Sequence, residues 1–210
     1  TEEEQSTIFQ TNLPWDSADA DSHTTLLGNL ITSKDIDDQI IIKAFTGIWT
    51  PAKLSSMRAL RPRLFLICFK DEKIKEDILS RGPWTYKDEW LSLTQYDPAL
   101  SLDDHSFMIM NVWVRIYNIP PILLASEESA NNTGESLGAF IGTVTKIDTR
   151  KMDLNMVDYL RVGVSLDASK PVRRCVAIGG GSSTRFCPLQ YERLPTLCHC
   201  CGRVGHSLDF

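Results

Sequence analysis

The run LFLICF, Leu64 to Phe69, is an unbroken apolar hexamer, too short for a buried helix and with no polar position to face water. It reads as the largely buried central strand of a sheet. Alternation puts Phe65, Ile67 and Phe69 on one face and Leu64, Leu66 and Cys68 on the other, and one face must pack on helices. Were the Phe face the outer one it would offer rings to bases. Covered by a second unit it is core, which is the expectation for so apolar a run.

The flanking sequence supplies the rest of such a sheet. Leu26 to Ile31 suits a strand, and Asp35, with Asp38 three positions on, can cap a helix in which Ile36, Ile40, Phe45, Ile48 and Trp49 recur until Pro51 ends it. Leu54 to Leu60 is a weaker strand. After LFLICF, Asp71 caps a helix with Ile74, Ile78 and Leu79 on one side, closed by Gly82 and Pro83. Trp90, Leu91, Leu93 and Tyr96 form a further strand. The order over residues 24–97 is βαββαβ, an α+β, ferredoxin-like arrangement shared with RNA-recognition domains.

Residues 98–106, with Pro98, Asp103 and Asp104, read as a linker, and 107–195 as a second, smaller, sheet-rich α+β unit. Val112, Val114 and Ile116 alternate with Trp113, Arg115 and Tyr117 in a half-buried strand that stops at Pro120. Glu127 to Phe140 is a helix weakened by Gly134 and Gly138. Strands follow at Thr143 to Asp148, Tyr159 to Leu166, Val172 to Ile178 and Phe186 to Tyr191, with Gly179 to Gly181 as a turn. Trp49, Trp84, Trp90 and Trp113 all sit in periodic apolar contexts and are read as core.

Charge matters only once it is divided along the chain. The net value is −5, but residues 1–23 carry six acidic side chains and no Lys or Arg, and read as a flexible acidic tail. From Lys146 onward ten basic residues face six acidic ones, a local footprint compatible with phosphate contact. No stretch is long and apolar enough for a membrane span, and the TEEEQ opening, without a Met or an apolar leader, reads as lying inside a longer protein. The six cysteines lack the even spacing of a disulfide framework, which points to reduced thiols and an intracellular protein, nuclear or cytoplasmic. No paired carboxylates, nucleophile elbow or phosphate-binding glycine loop accompany them, so neither an enzyme nor a small-molecule substrate is expected.

The cysteines crowd instead into CHCCGRVGHSLDF, residues 198–210. Cys198, Cys201 and His206 stand in C-x2-C-x4-H spacing, with Gly202 and Gly205 allowing so short a loop to fold back around an ion. This is a zinc knuckle, residues 196–210, truncated one position before its fourth ligand, expected just beyond Phe210. His199 and Val204 occupy stacking or apolar positions, and Arg203 can reach a phosphate. Upstream, Lys170, Arg173 and Arg174 of KPVRR either clamp phosphates or form a solvated turn, with Arg161, Arg185 and Arg193 in the same unit.

Four runs, RGPWTYKDEWLSL, VWVRIYNIP, SLDASKPVRRCV and YERLPTLCHCCGRVGH, occur in the order found in a known family. The chain resembles the plant domain of unknown function that precedes a CCHC knuckle in first-open-reading-frame proteins of LINE-type retrotransposons and their domesticated relatives. The resemblance spans about residues 26–210, and its fourth knuckle ligand is missing here. It implies an RNA-recognition-like first domain, zinc, and single-stranded nucleic acid as partner, RNA favoured, with packaging or chaperoning as the role. A protein-interaction module without direct nucleic-acid contact is the alternative, and self-association is open.

Overall fold

The computed structural model describes residues 22–149, 158–179 and 183–206. The acidic tail up to residue 21, Gly180 and Gly181 of the glycine turn, and the end of the chain from 207 lie outside them. The described residues form a mixed α+β structure with two five-stranded antiparallel sheets and three α-helices.

The first sheet contains β1 (Thr25–Ile31), β2 (Leu54–Arg61), β3 (Leu64–Phe69), β4 (Trp84–Tyr86) and β5 (Glu89–Gln95), in the order β2-β3-β1-β5-β4. LFLICF is buried at all six positions. Its Phe65, Ile67 and Phe69 pack with Ile41, Phe45 and Trp49 of α1 (Asp38–Lys53) and Ile78 of α2 (Glu72–Ser80). The phenylalanines are therefore core, but the helices cover them, not the second unit. The opposite face, Leu27, Leu64, Leu66 and Cys68, is covered by Leu102 and Phe107. Residues 98–106 are thus seated on the sheet: His105 is buried, its Nε2 accepts from the Asp97 N–H at 3.1 Å, and its ring stacks on Tyr96. Both faces of LFLICF are occupied, so Phe65 and Phe69 offer no ring to a ligand.

The cap and apolar face of α1 differ from the expectation. Asp37, not Asp35, accepts the Gln39 N–H at 2.9 Å, while Asp38 accepts the Arg63 N–H from the β2–β3 turn. The buried stripe is Ile41, Phe45 and Trp49, spaced by four; Ile40 and Ile48 face solvent. Thr50, at φ 59° and ψ 150°, breaks the helical path just before Pro51. Asp71 caps α2 as expected, accepting the Ile74 N–H at 2.8 Å.

The second sheet runs β7-β8-β6-β10-β9, from β6 (Ile109–Tyr117), β7 (Thr143–Asp148), β8 (Tyr159–Asp167), β9 (Cys175–Ile178) and β10 (Arg185–Tyr191). Along β6 every second residue is buried, which sends Val112, Val114 and Ile116 inward. They meet Leu160, Val162 and Val164 of β8, and Ala130 and Leu137 of α3 (Glu127–Gly138). The glycines of α3 are what let it approach: a Cβ on Gly138 would lie 2.6 Å from Val144 Cγ2 and 3.0 Å from Val162 Cγ1. Helix propensity is given up there for close helix-on-sheet packing. Trp90 of β5 and Val204 also belong to this core, so one apolar cluster joins the first sheet, the second sheet and the C-terminal loop.

Candidate metal centre and nucleic-acid interface

The C-terminal loop is a miniature hairpin. Leu197 and Val204 form a β-bridge, the Cys198 N–H donates to Arg203 O at 2.9 Å, and the Gly202 N–H returns to Cys198 O at 2.8 Å. Gly202 and Gly205 have φ of +72° and +91°, the left-handed region that a Cβ disfavours, which explains why glycine stands at both turns. The hairpin is held from two sides. Thr196 donates both its N–H and its Oγ1 hydroxyl to Asp88 O, each at 3.0 Å, in the two-residue turn between β4 and β5. From the second unit the Val172 N–H donates to Gly202 O at 2.8 Å.

Folding the loop gathers the expected ligand set. One donor atom each from Cys198, Cys201 and His206 lies within 4.8 Å of the others, and Cys201 Sγ is 3.3 Å from His206 Nε2. Cys198 is buried; Cys201 and His206 are exposed. The Cys201 backbone N–H, and behind it that of Cys200, point at the Cys198 sulfur and hold its thiol below the ordinary range, favouring thiolate. Two thiols and an imidazole on a glycine-hinged turn suit zinc. Cys198 Sγ, Cys201 Sγ and His206 would hold the ion, which would act as a cross-link closing the loop. His199 and Cys200 are exposed and stand outside this cluster.

The expected nucleic-acid contacts divide into three groups. Lys170, Arg173, Arg174, His199 and Arg203 are all exposed. The KPVRR backbone lies against the knuckle, with Pro171 near Gly202, and is fixed from behind: Tyr191 donates its hydroxyl to Arg173 O at 2.8 Å, and the Leu189 N–H donates to Arg174 O. Burial raises the Tyr191 hydroxyl to about 12, so it stays a donor at any physiological pH. Lys170 also pairs with Asp167 at 2.9 Å. Arg193 lies elsewhere, in a cleft beside α2. Val204 is a correction: its side chain, paired across the bridge with Leu197, points into the core and presents nothing to a base.

Sequence reasoning missed a third assembly, on the solvent side of the second sheet. Trp113, read as core, lies there half-buried, with the Arg161 guanidinium 3.9 Å above its ring. Arg115 similarly covers Tyr159 at 4.8 Å. Glu192 holds both cations: Arg161 Nε and Nη2 donate to its two oxygens at 3.0 and 2.8 Å, and Arg115 Nε donates to Oε1 at 2.8 Å. Arg161 Nη1 also donates to Asp148. Arg161 first, then Arg115, draw the Glu192 carboxyl down to about 2 against the opposing effect of burial. The signal was present as alternation, since Trp113, Arg115 and Tyr117 oppose Gly163, Arg161 and Tyr159 across one register.

Residues 166–210 match the family model described as a zinc knuckle. The uncharacterized protein At4g02000 of Arabidopsis thaliana is 24% identical over 131 residues. That alignment takes in 61% of this chain and only 39% of the relative's length. Among solved structures, the N-terminal three RNA-binding domains of the yeast splicing factor Prp24 overlay at a TM-score of 0.28 and 17% identity, covering 80% of this chain and 65% of that one. Among the described residues no helix is long and apolar enough to cross a membrane.

Proposed function

We propose that this chain is a non-enzymatic binder of single-stranded nucleic acid, RNA above all, working inside the cell in packaging or chaperoning of the retroelement type. The observation that carries this reading is the seating of a Cys198, Cys201 and His206 knuckle directly against the basic KPVRR run. Zinc would stiffen the loop, and Lys170, Arg173, Arg174 and Arg203 would meet phosphates beside it, with His199 free to stack on a base. The retroelement assignment rests on the four resembling sequence runs. The first unit, with its ferredoxin-like βαββαβ order extended by one hairpin strand, serves as scaffold: the helix-free face that RNA-recognition domains use is closed here by Leu102 and Phe107.

The reading is tested by fluorescence anisotropy with a labelled single-stranded oligoribonucleotide across a salt series, with zinc and with chelator. The four phosphate contacts beside the knuckle contribute about −2.8 to the slope of log affinity against log salt, and Arg173→Ala with Arg174→Ala should flatten it by about 1.4. Zinc should tighten binding. No association at low salt with zinc supplied, or a slope indifferent to both arginines, refutes the reading.

A further inference from the structure

We infer that the open face of the second sheet is a second contact surface for single-stranded nucleic acid, and that the cleft beside α2 takes one of its nucleotides. This rests on the reading of the chain as a single-strand binder, but uses residues outside both the knuckle and the KPVRR run.

The two sheets differ in what covers them. Among the described residues, helices and the 98–108 segment close both sides of the first, whereas α3 packs on one side of the second and leaves Trp113, Arg115, Tyr117, Tyr159 and Arg161 on the other. That side carries two flat platforms, guanidinium on indole and guanidinium on phenol, their charge balanced by Glu192 and Asp148. Planar surfaces of this kind are what an unpaired base stacks on, whatever its sequence. Glu192 and Asp148 fix both arginines in place, so little side-chain freedom is lost when a base arrives.

Next to the Trp113 platform the face dips into a cleft of about 490 Å³, within the range that suits a small ligand moiety. Its walls carry Lys146 and Arg193 from the second unit, Asp77 from α2 and Arg81 just past the end of that helix. Arg81 is spent on Asp77 at 2.6 Å. Lys146 and Arg193 are exposed and make no ion pair among the described residues, which leaves two cations for a phosphate beside the platform. A polypeptide ligand would want an apolar floor or a sheet edge; here a planar platform is flanked by Lys146 and Arg193.

The experiment uses the whole chain, zinc-loaded, with a labelled oligouridylate. Lys146→Gln with Arg193→Gln, both exposed changes, should weaken binding about five- to twentyfold and flatten the salt slope by about 1.4. Trp113→Leu should weaken it about tenfold with the slope unchanged. Ultraviolet cross-linking followed by peptide mass spectrometry should mark the 112–117 or 159–163 peptide. Full affinity and slope in the Lys146 and Arg193 double variant, while the Arg173 and Arg174 variant is impaired, overturns this surface and leaves the parent function standing. Cross-links confined to residues 198–206 do the same. Failure of the unaltered chain to bind at all removes both.

Discussion

Replacing Glu192 by Gln should lower stability without lowering affinity for a polyanion, and the two effects have separable causes. Glu192 stands between two guanidinium groups and gives its oxygens to both. A carboxyl drawn from 4.5 to about 2 is held in its ionised form by about 3 kcal/mol. The Arg115 and Arg161 side chains are 36% and 24% exposed, so water screens part of this, and about 2 kcal/mol should be lost at pH 7. For a chain of this length that is about 4–8 °C in Tm. The folded-state pKa is depressed, so the contribution is complete above about pH 4.5 and fades as pH falls toward 2. Urea denaturation of both proteins at pH 7 and pH 3 checks this: the gap should shrink to less than half at pH 3. An equal gap at both values would mean that Glu192 acts through packing, and the charge argument would fail. In anisotropy titrations the variant should bind oligonucleotide about as well as the parent, because the removal of a negative charge from the face offsets the looser hold on Arg115 and Arg161.

Two further substitutions probe the glycines. Gly138→Ala gains about 1 kcal/mol of helix propensity but drives a methyl into Val144 and Val162, so overpacking of about 1–3 kcal/mol should win and the urea midpoint should fall; a rise would mean that α3 is not seated as closely as described. Gly205→Ala places a Cβ at φ +91° and 2.9 Å from Ile31 Cγ2, and should cost about 1–2 kcal/mol locally. Amide exchange at Cys198 and Gly205 should then accelerate while the β6 amides keep their protection, and zinc uptake should weaken.

Local chemistry was legible in the sequence, and cross-strand chemistry was not. The ligand spacing of Cys198, Cys201 and His206 needs only a short loop, and alternation in β6 needs only one strand, so both could be read directly. The buried face of α1 could not, because Ile40, Ile41 and Ile42 in a row satisfy any helical phase, and tertiary contact with Phe65 and Phe69 chose among them. The β4–β5 hairpin was invisible because its turn, Lys87 and Asp88, reaches positive φ without the asparagine or glycine that usually announces it. Trp113 misled for a similar reason: an aromatic in an alternating strand looks like core until the partner strand shows an arginine above it. Val204 looked like a surface position because only the pairing with Leu197 reveals which way it points.

Asp88 accepts two hydrogen bonds from Thr196, and Gly205 rests on Ile31, so the terminal loop is not a bead on a string but a rivet through both halves of the molecule. Whatever free energy cation capture would yield would be shared through that joint with a hairpin more than a hundred residues away in sequence. Starving the protein of metal should therefore soften the seam between the sheets as well as the tip, so that ion supply tunes how firmly the whole body holds its shape.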